Sequence, residues 1–140
     1  MIYSYLDHPS DVYVHVVADS LEGIFEEAAK ATFDVMIDVA SVEDKEVIDV
    51  ELDGIDLEQL LYKWIDHLLF LFDAKSFVVS KAKVEKIEKC NDKYIIKSKV
   101  FGEEYNPNKH GHKTGVKAMT YSLMKIIKNE RWEAFFVLDI

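Results

Sequence analysis

The chain has 140 residues, a net charge of −9 and 49% hydrophobic residues, with only 5 Gly and 2 Pro. That composition excludes a disordered or low-complexity chain, and the length suits one domain, read as spanning 1–140, that buries a core unaided. The longest apolar run, Leu68–Phe72, is far short of the roughly 20 residues that span a bilayer. The N-terminal residues carry no basic stretch or small-residue cleavage site, so no signal peptide is expected. Cys90 is the single cysteine, which fits a reducing cytoplasm.

In chain order, Ile2–Leu6 and Val12–Ala18 read as short strands around the turn residues Asp7-His8-Pro9-Ser10-Asp11. Asp19-Ser20-Leu21-Glu22 reads as a capping box. The helix it opens places Leu21, Ile24, Phe25, Ala28, Thr32 and Met36 on one face. Glu46–Leu52 roughly alternates and predicts a strand, followed by a turn at Asp53-Gly54. Asp56-Leu57-Glu58-Gln59 opens a second helix, apolar round most of its circumference and so central to the core. The period then changes to two. Phe77–Lys89 and Lys93–Phe101 predict a hairpin turning at Asn91-Asp92, and Glu103–His112 predicts a polar loop. Val116–Lys128 predicts a strand with Met119, Tyr121 and Leu123 on one side, and Arg131–Leu138 predicts the last strand. The order ββαβαββββ means α+β, two α-helices packed on a largely antiparallel β-sheet.

Charge is unevenly placed. Residues 1–74 carry 3 cationic and 18 anionic side chains, residues 75–131 carry 14 and 6. The acidic front argues against wrapping nucleic acid, while the basic back keeps tRNA contact open. A single arginine, Arg131, argues against sequence-specific reading. The plain alternative for the lysines is a solvated strand face.

The sequence has no nucleotide-binding glycine loop, GxSxG, Cys-x-x-Cys or His-Glu-x-x-His pattern. His110-x-His112 with Cys90 is a weak zinc pattern, and Cys90 as a nucleophile lacks a partner histidine. Oxygen ligands suit the chain better. If Ile140 is the true terminus, its carboxylate lies one residue from the Asp139 side chain. Asp11 is a candidate third carboxylate if the first or second strand neighbours the last. A frayed Asp-Ile end is the plain alternative.

Several stretches share one register: Asp7–Asp11, Asp19–Glu22, Leu60–Asp66, Phe70–Asp73, Gly102-Glu103, Gly115–Tyr121 and Asp139-Ile140. Together they resemble the archease family. Pro9-Ser10 stand where that family usually has Thr-Ala, and Ser122 where it usually has histidine. The resemblance implies two interlocked strand–helix–strand–strand modules. It also implies a cytoplasmic, non-enzymatic accessory protein of the RtcB-type tRNA-splicing RNA ligase, promoting ligase guanylylation and multiple turnover. It assigns a divalent-cation site, Ca²⁺ or else Mg²⁺ or Mn²⁺, to Asp11, Asp139 and Ile140, and ligase activation to Lys117. An RNA-binding or methyltransferase-assisting chaperone in tRNA processing is the second reading, with transient tRNA contact. A metal-dependent phosphoesterase is the third, lacking an obvious base near Asp139.

Overall fold

The computed structural model describes residues 2–6 and 11–140; the expected turn residues Asp7, His8, Pro9 and Ser10 lie outside them. Strands β1 (Ile2–Leu6) and β2 (Val12–Ala18) lead into helix α1 (Leu21–Met36) and a single 3-10 turn, Val39–Ser41. Strand β3 (Glu46–Gly54) and helix α2 (Leu57–Lys75) follow, then the long hairpin β4 (Phe77–Cys90) and β5 (Lys93–Glu104). A short helix α3 (Pro107–His110), β6 (Ala118–Lys128) and β7 (Trp132–Asp139) complete the chain. The strands form two antiparallel sheets, β1-β2-β7-β6 and β3-β5-β4. The expected α+β class and antiparallel pairing are what the chain adopts.

The modules interlock through the helices. Helix α1 follows strands of the first sheet yet lies along β4 of the second, while α2 follows β3 of the second sheet and lies along β6 of the first. Glu26 of α1 accepts the backbone N–H of Val84 at 2.8 Å, beside the bulge between Val84 and Lys86. The helix thus satisfies a donor that the irregular outer strand leaves out of the ladder. Both helices are apolar on more than one side because each is packed from more than one direction. Ile24, Phe25, Phe33, Leu60, Leu61, Trp64 and Leu68 are completely buried.

The helix starts differ in detail from the capping boxes. Ser20, not Asp19, caps α1 and accepts the Gly23 N–H at 3.0 Å; the third helical residue is glycine, so no reciprocal carboxylate bond forms. Asp56 caps α2 through the Gln59 N–H at 2.7 Å, and the Gln59 side chain returns to the Ile55 N–H at 2.9 Å.

Three expectations are corrected. Asp53 and Gly54 remain in β3, paired with Ile95 and Tyr94, because the longer hairpin strand offers partners that far. The predicted polar loop is partly ordered: β5 continues to Glu104, and α3 carries a wholly buried His110. In β6 only Met119 of the three expected residues faces the core. The register slips between Thr120 and Lys125, and Tyr121 and Leu123 are about half exposed. Leu123 sits at φ 59° in this bulge, while the Tyr121 ring stacks on Tyr62 of α2 at 4.6 Å.

Gly102 shows how closely β4 and β5 meet. A Cβ there would lie 1.8 Å from the Val78 carbonyl oxygen, so the strands would have to part. Gly102→Ala should destabilise by at least about 1–3 kcal/mol, the cost of overpacking. Gly115→Ala, with open space around it, should change thermal unfolding by less than about 0.5 kcal/mol.

Candidate functional site

The ladders of the first sheet bring distant carboxylates to one end. Val12 pairs with Leu138, so continuing that register by one step sets Asp11 opposite Asp139. On the other side of β7, Ala118 pairs with Asp139, and the Lys117 N–H donates to the Asp139 carbonyl at 2.8 Å. Lys117 therefore stands opposite Ile140. Asp139, Ile140 and Lys117 are exposed, and Asp11 is half-buried. All four residues expected at the site come to one end of the first sheet, contributed by the turn before β2, the segment before β6 and the end of β7, with Asp11 and Asp139 on one pleat and Lys117 and Ile140 on the next. Asp11 thus has the neighbour on which its candidacy depended.

The donor set suits a hard cation. Two carboxylate side chains and backbone oxygen offer only oxygen ligands, the preference of Ca²⁺ and Mg²⁺. Among the described residues, no three His, Cys, Asp or Glu side chains cluster as a metal site. A cation at this edge would need ligands beyond these two side chains.

Beside Asp11 lies an open cleft of about 350 Å³, walled by Tyr5, Leu6, Tyr13, Asp34 and Lys113 among others. Its inner wall is held by hydrogen bonds. Tyr3 donates to Asp34 Oδ2 at 3.0 Å, Lys113 Nζ reaches Asp34 Oδ1 at 3.3 Å, and Tyr5 donates to the Ala31 carbonyl at 3.0 Å. Burial, reinforced by the Asp34 carboxylate, pushes the Tyr3 phenol up to about 12, so it stays a donor at neutral pH.

The segment leading to Lys117 is anchored by groups that sequence patterns did not reveal. His110 is fully buried; its Nδ1 accepts the Asn106 N–H and its Nε2 faces Glu103 Oε2, both at 3.0 Å. Accepting at Nδ1 fixes the tautomer with hydrogen on Nε2 when the ring is neutral. Glu103 Oε2 also accepts the Glu43 N–H at 2.8 Å. Lys109 bonds both Glu43 and Glu103. Farther along, Lys113 and Thr114 donate backbone bonds to Met36 and Val35. With both ring nitrogens committed, His110 is not a free zinc ligand. Cys90 is exposed at the tip of the β4–β5 hairpin, whereas Glu103 and the segment to His110 follow the other end of that ladder.

The Glu43 N–H, with Lys109 and His110, holds the Glu103 carboxyl well below the usual carboxylate range. A carboxyl depressed in the folded state stabilises at neutral pH, and the contribution is lost as pH falls from the unfolded value of about 4.5 toward the folded one. Glu103→Gln should therefore be less stable than the wild type at pH 7, with the gap narrowing as pH falls below about 4.5. Urea unfolding along that pH series checks the sign.

The charge asymmetry of the chain is partly offset in space. Strand β3, from the acidic half, pairs with β5, from the basic half, setting Asp49 opposite Lys99 and Glu51 opposite Lys97. Lys99 meets Asp49 at 2.8 Å, Lys81 meets Asp44 at 3.2 Å and Arg131 meets Asp19 at 2.8 Å. Lys97 and Lys99 stand between acids of β3 and lysines of β4, where Lys83 pairs with Lys99 and Lys86 with Lys97.

Comparison with known proteins agrees with this architecture. The model of the archease protein family matches residues 3–140. The chain belongs to the archease family. Protein archease of Pyrococcus furiosus is 42% identical over 140 residues, covering 99% of this chain and 98% of that one. Protein archease of Danio rerio is also 42% identical, covering 99% and 85%. The solution structure of Methanobacterium thermoautotrophicum protein 1598 superposes with a TM-score of 0.83 at 32% identity, covering 99% and 98%. An archease from Thermotoga maritima, described as a possible chaperone, shares the fold at a TM-score of 0.60 and 16% identity, covering 98% and 96%. Among the described residues, no helix is long and apolar enough to cross a membrane.

Proposed function

We propose that the protein is a non-enzymatic, cytoplasmic activator of the RtcB-type tRNA-splicing RNA ligase, promoting ligase guanylylation and multiple turnover with a divalent cation. The observation that carries this reading is the meeting of Asp11, Lys117, Asp139 and Ile140 at one sheet edge in a chain of the archease family. Asp11 and Asp139, with the Ile140 carboxylate where the chain ends there, would hold the cation, Ca²⁺ first and Mg²⁺ or Mn²⁺ as alternatives. When bound, the cation would supply positive charge to draw in a carboxylate or phosphate of the ligase. Lys117, exposed and fixed through its backbone bond to Asp139, would add an ammonium at the same end of the sheet. That ammonium would suit contact with an anionic group across the interface.

The second reading, an RNA-binding or methyltransferase-assisting chaperone, draws on the lysines of the back half. Their pairing with acids from the front half weighs against it. Direct tRNA affinity is expected to be weaker than about 10 μM at physiological salt, in the non-specific range. The test is ligation with limiting ligase. Product should exceed one turnover per ligase in the presence of the protein and stall near one without it. Equal progress curves would remove the activator reading, and a nanomolar, steeply salt-sensitive tRNA complex would favour the chaperone.

A further inference from the structure

Helix α1 ends without the usual supports of its own. Its last turn holds no basic residue, and Asp34 there sets a carboxylate near the negative end of the helix dipole. The last carbonyls of a helix have no partner within it. Here the Ile37 N–H returns to the Phe33 carbonyl at 2.9 Å, and the carbonyls of Asp34, Val35 and Met36 are met from a distant part of the chain. Lys113 Nζ donates to the Asp34 carbonyl at 3.0 Å, the Thr114 N–H to that of Val35 at 3.2 Å and the Lys113 N–H to that of Met36 at 2.8 Å. The same ammonium reaches Asp34 Oδ1 at 3.3 Å. Asp34 Oδ2 takes the Tyr3 hydroxyl of β1 at 3.0 Å. Asp34 and Lys113 thus clasp together β1, the end of α1 and the irregular segment before β6.

The clasp lies just upstream of Lys117. From Thr114 to Lys117 the chain can span at most about 10 Å, so docking Thr114 on α1 confines the Lys117 backbone to a small range. Between them, Gly115 is exposed and only Val116 buries a side chain, before the Lys117 N–H bonds the Asp139 carbonyl. Asp34, Lys113 and Thr114 also line the same cleft as Asp11. The end of α1 is therefore the common support of the two sides of the candidate site, the Lys117 side through Lys113 and Thr114 and the β1 side through Tyr3.

We infer that Lys113 and its partner Asp34 are positioning residues for the proposed activity: their ion pair docks the segment before β6 on the C-terminus of α1 and so fixes where Lys117 stands relative to Asp11 and Asp139. The inference rests on the activator reading of that end of the sheet. Both residues act through Lys117 rather than by contact with the ligase. An exposed ion pair contributes little by itself, but this ammonium also meets a helix-end carbonyl at the negative pole of the helix dipole. The segment it holds has no regular structure, and such a segment opens at little cost once a tie is lost. A purely stabilising pair would lower the melting temperature and leave the folded protein's activity alone. A positioning pair changes the order at Lys117 while the rest of the protein stays folded.

The test uses Lys113→Met, which removes the ammonium, Asp34→Asn, which removes the charge of its partner, and Lys113→Arg, which keeps a cation. Lys63→Met is the control, because Lys63 pairs with Asp53 at the same 3.3 Å away from this end of the sheet. Amide hydrogen exchange is read by NMR on the folded proteins without ligase. The Lys117 amide should exchange at least about fivefold faster in Lys113→Met and Asp34→Asn, with the amides of the β2–β7 ladder unchanged. Lys113→Arg and Lys63→Met should stay near the wild type. Stimulation of limiting ligase at saturating protein should fall in Lys113→Met and Asp34→Asn and be kept in Lys113→Arg. The two damaging substitutions change the net charge in opposite directions, so a through-space effect of charge would shift stimulation oppositely, whereas loss of position lowers it in both. Opposite shifts overturn the inference. So does a Lys117 amide that keeps its protection in both variants, and so does faster exchange with wild-type stimulation. Each of these results leaves the activator reading standing when the wild type stimulates; a wild type that does not stimulate the ligase overturns that reading and the inference together.

Discussion

Replacing Trp64 with alanine should cost about 3–5 kcal/mol, the range for removing a large buried aromatic side chain. Trp64 has no exposed surface. Its indole Nε1 donates to the Phe25 carbonyl of α1 at 2.9 Å, and its ring lies 6.4 Å from the Phe25 ring. It is therefore a polar and an apolar tie between the two helices that link the modules. Removing it leaves a cavity and, in addition, an α1 carbonyl without its side-chain donor. Phe70 of the same helix is 49% exposed, so Phe70→Ala should cost less than about 0.5 kcal/mol. Urea unfolding of the two variants makes the comparison. A Trp64→Ala protein within about 1 kcal/mol of the wild type would show that the helices are not joined through this residue.

The second large effect is a separation of two losses. Asp11→Ala and Asp139→Ala each remove a carboxylate from a site whose cation affinity rises with ligand charge, so both should lose calcium binding in titration calorimetry. Both residues sit at element ends, and fewer clustered anions mean less repulsion in the metal-free protein, so both variants should fold. Lys117→Ala should behave oppositely: it keeps the cation, because its tie to Asp139 runs through the backbone N–H, and it loses ligase stimulation. If Lys117 is merely a solvated side chain, its removal changes stability by less than about 0.5 kcal/mol and changes nothing else. A Lys117→Ala protein that stimulates normally would confine the proposed activity to the carboxylates.

Most of the architecture is legible in the sequence because its local signals agree. The apolar circumference of α2, the Ser and Asp caps and the change to a period of two at Phe77 each state one element without competition. What the sequence hides depends on pairing at long range. The slip between Thr120 and Lys125 exists only because β7 sets the register on both sides of it, and an alternating reading then turns Tyr121 and Leu123 the wrong way. His110 looks like a loop histidine because its partners, Glu103 and the Asn106 N–H, replace water only once α3 folds back. The opposed charges of the two halves likewise look like separate surfaces until β3 and β5 pair. At the candidate site the residue types were readable, but their convergence was conditional on β2 lying beside β7. That neighbour relation is a fact of topology, and the order β1-β2-β7-β6 supplies it.

The most direct measurement of the central claim is multiple-turnover ligation at limiting ligase with folded Asp11→Ala and Asp139→Ala proteins, run beside the wild type in calcium and in chelator. The account predicts that the wild type stimulates with the cation and loses the effect without it, while both variants fail in either condition. Variants that stimulate as well as the wild type, with their calcium binding lost, would contradict it.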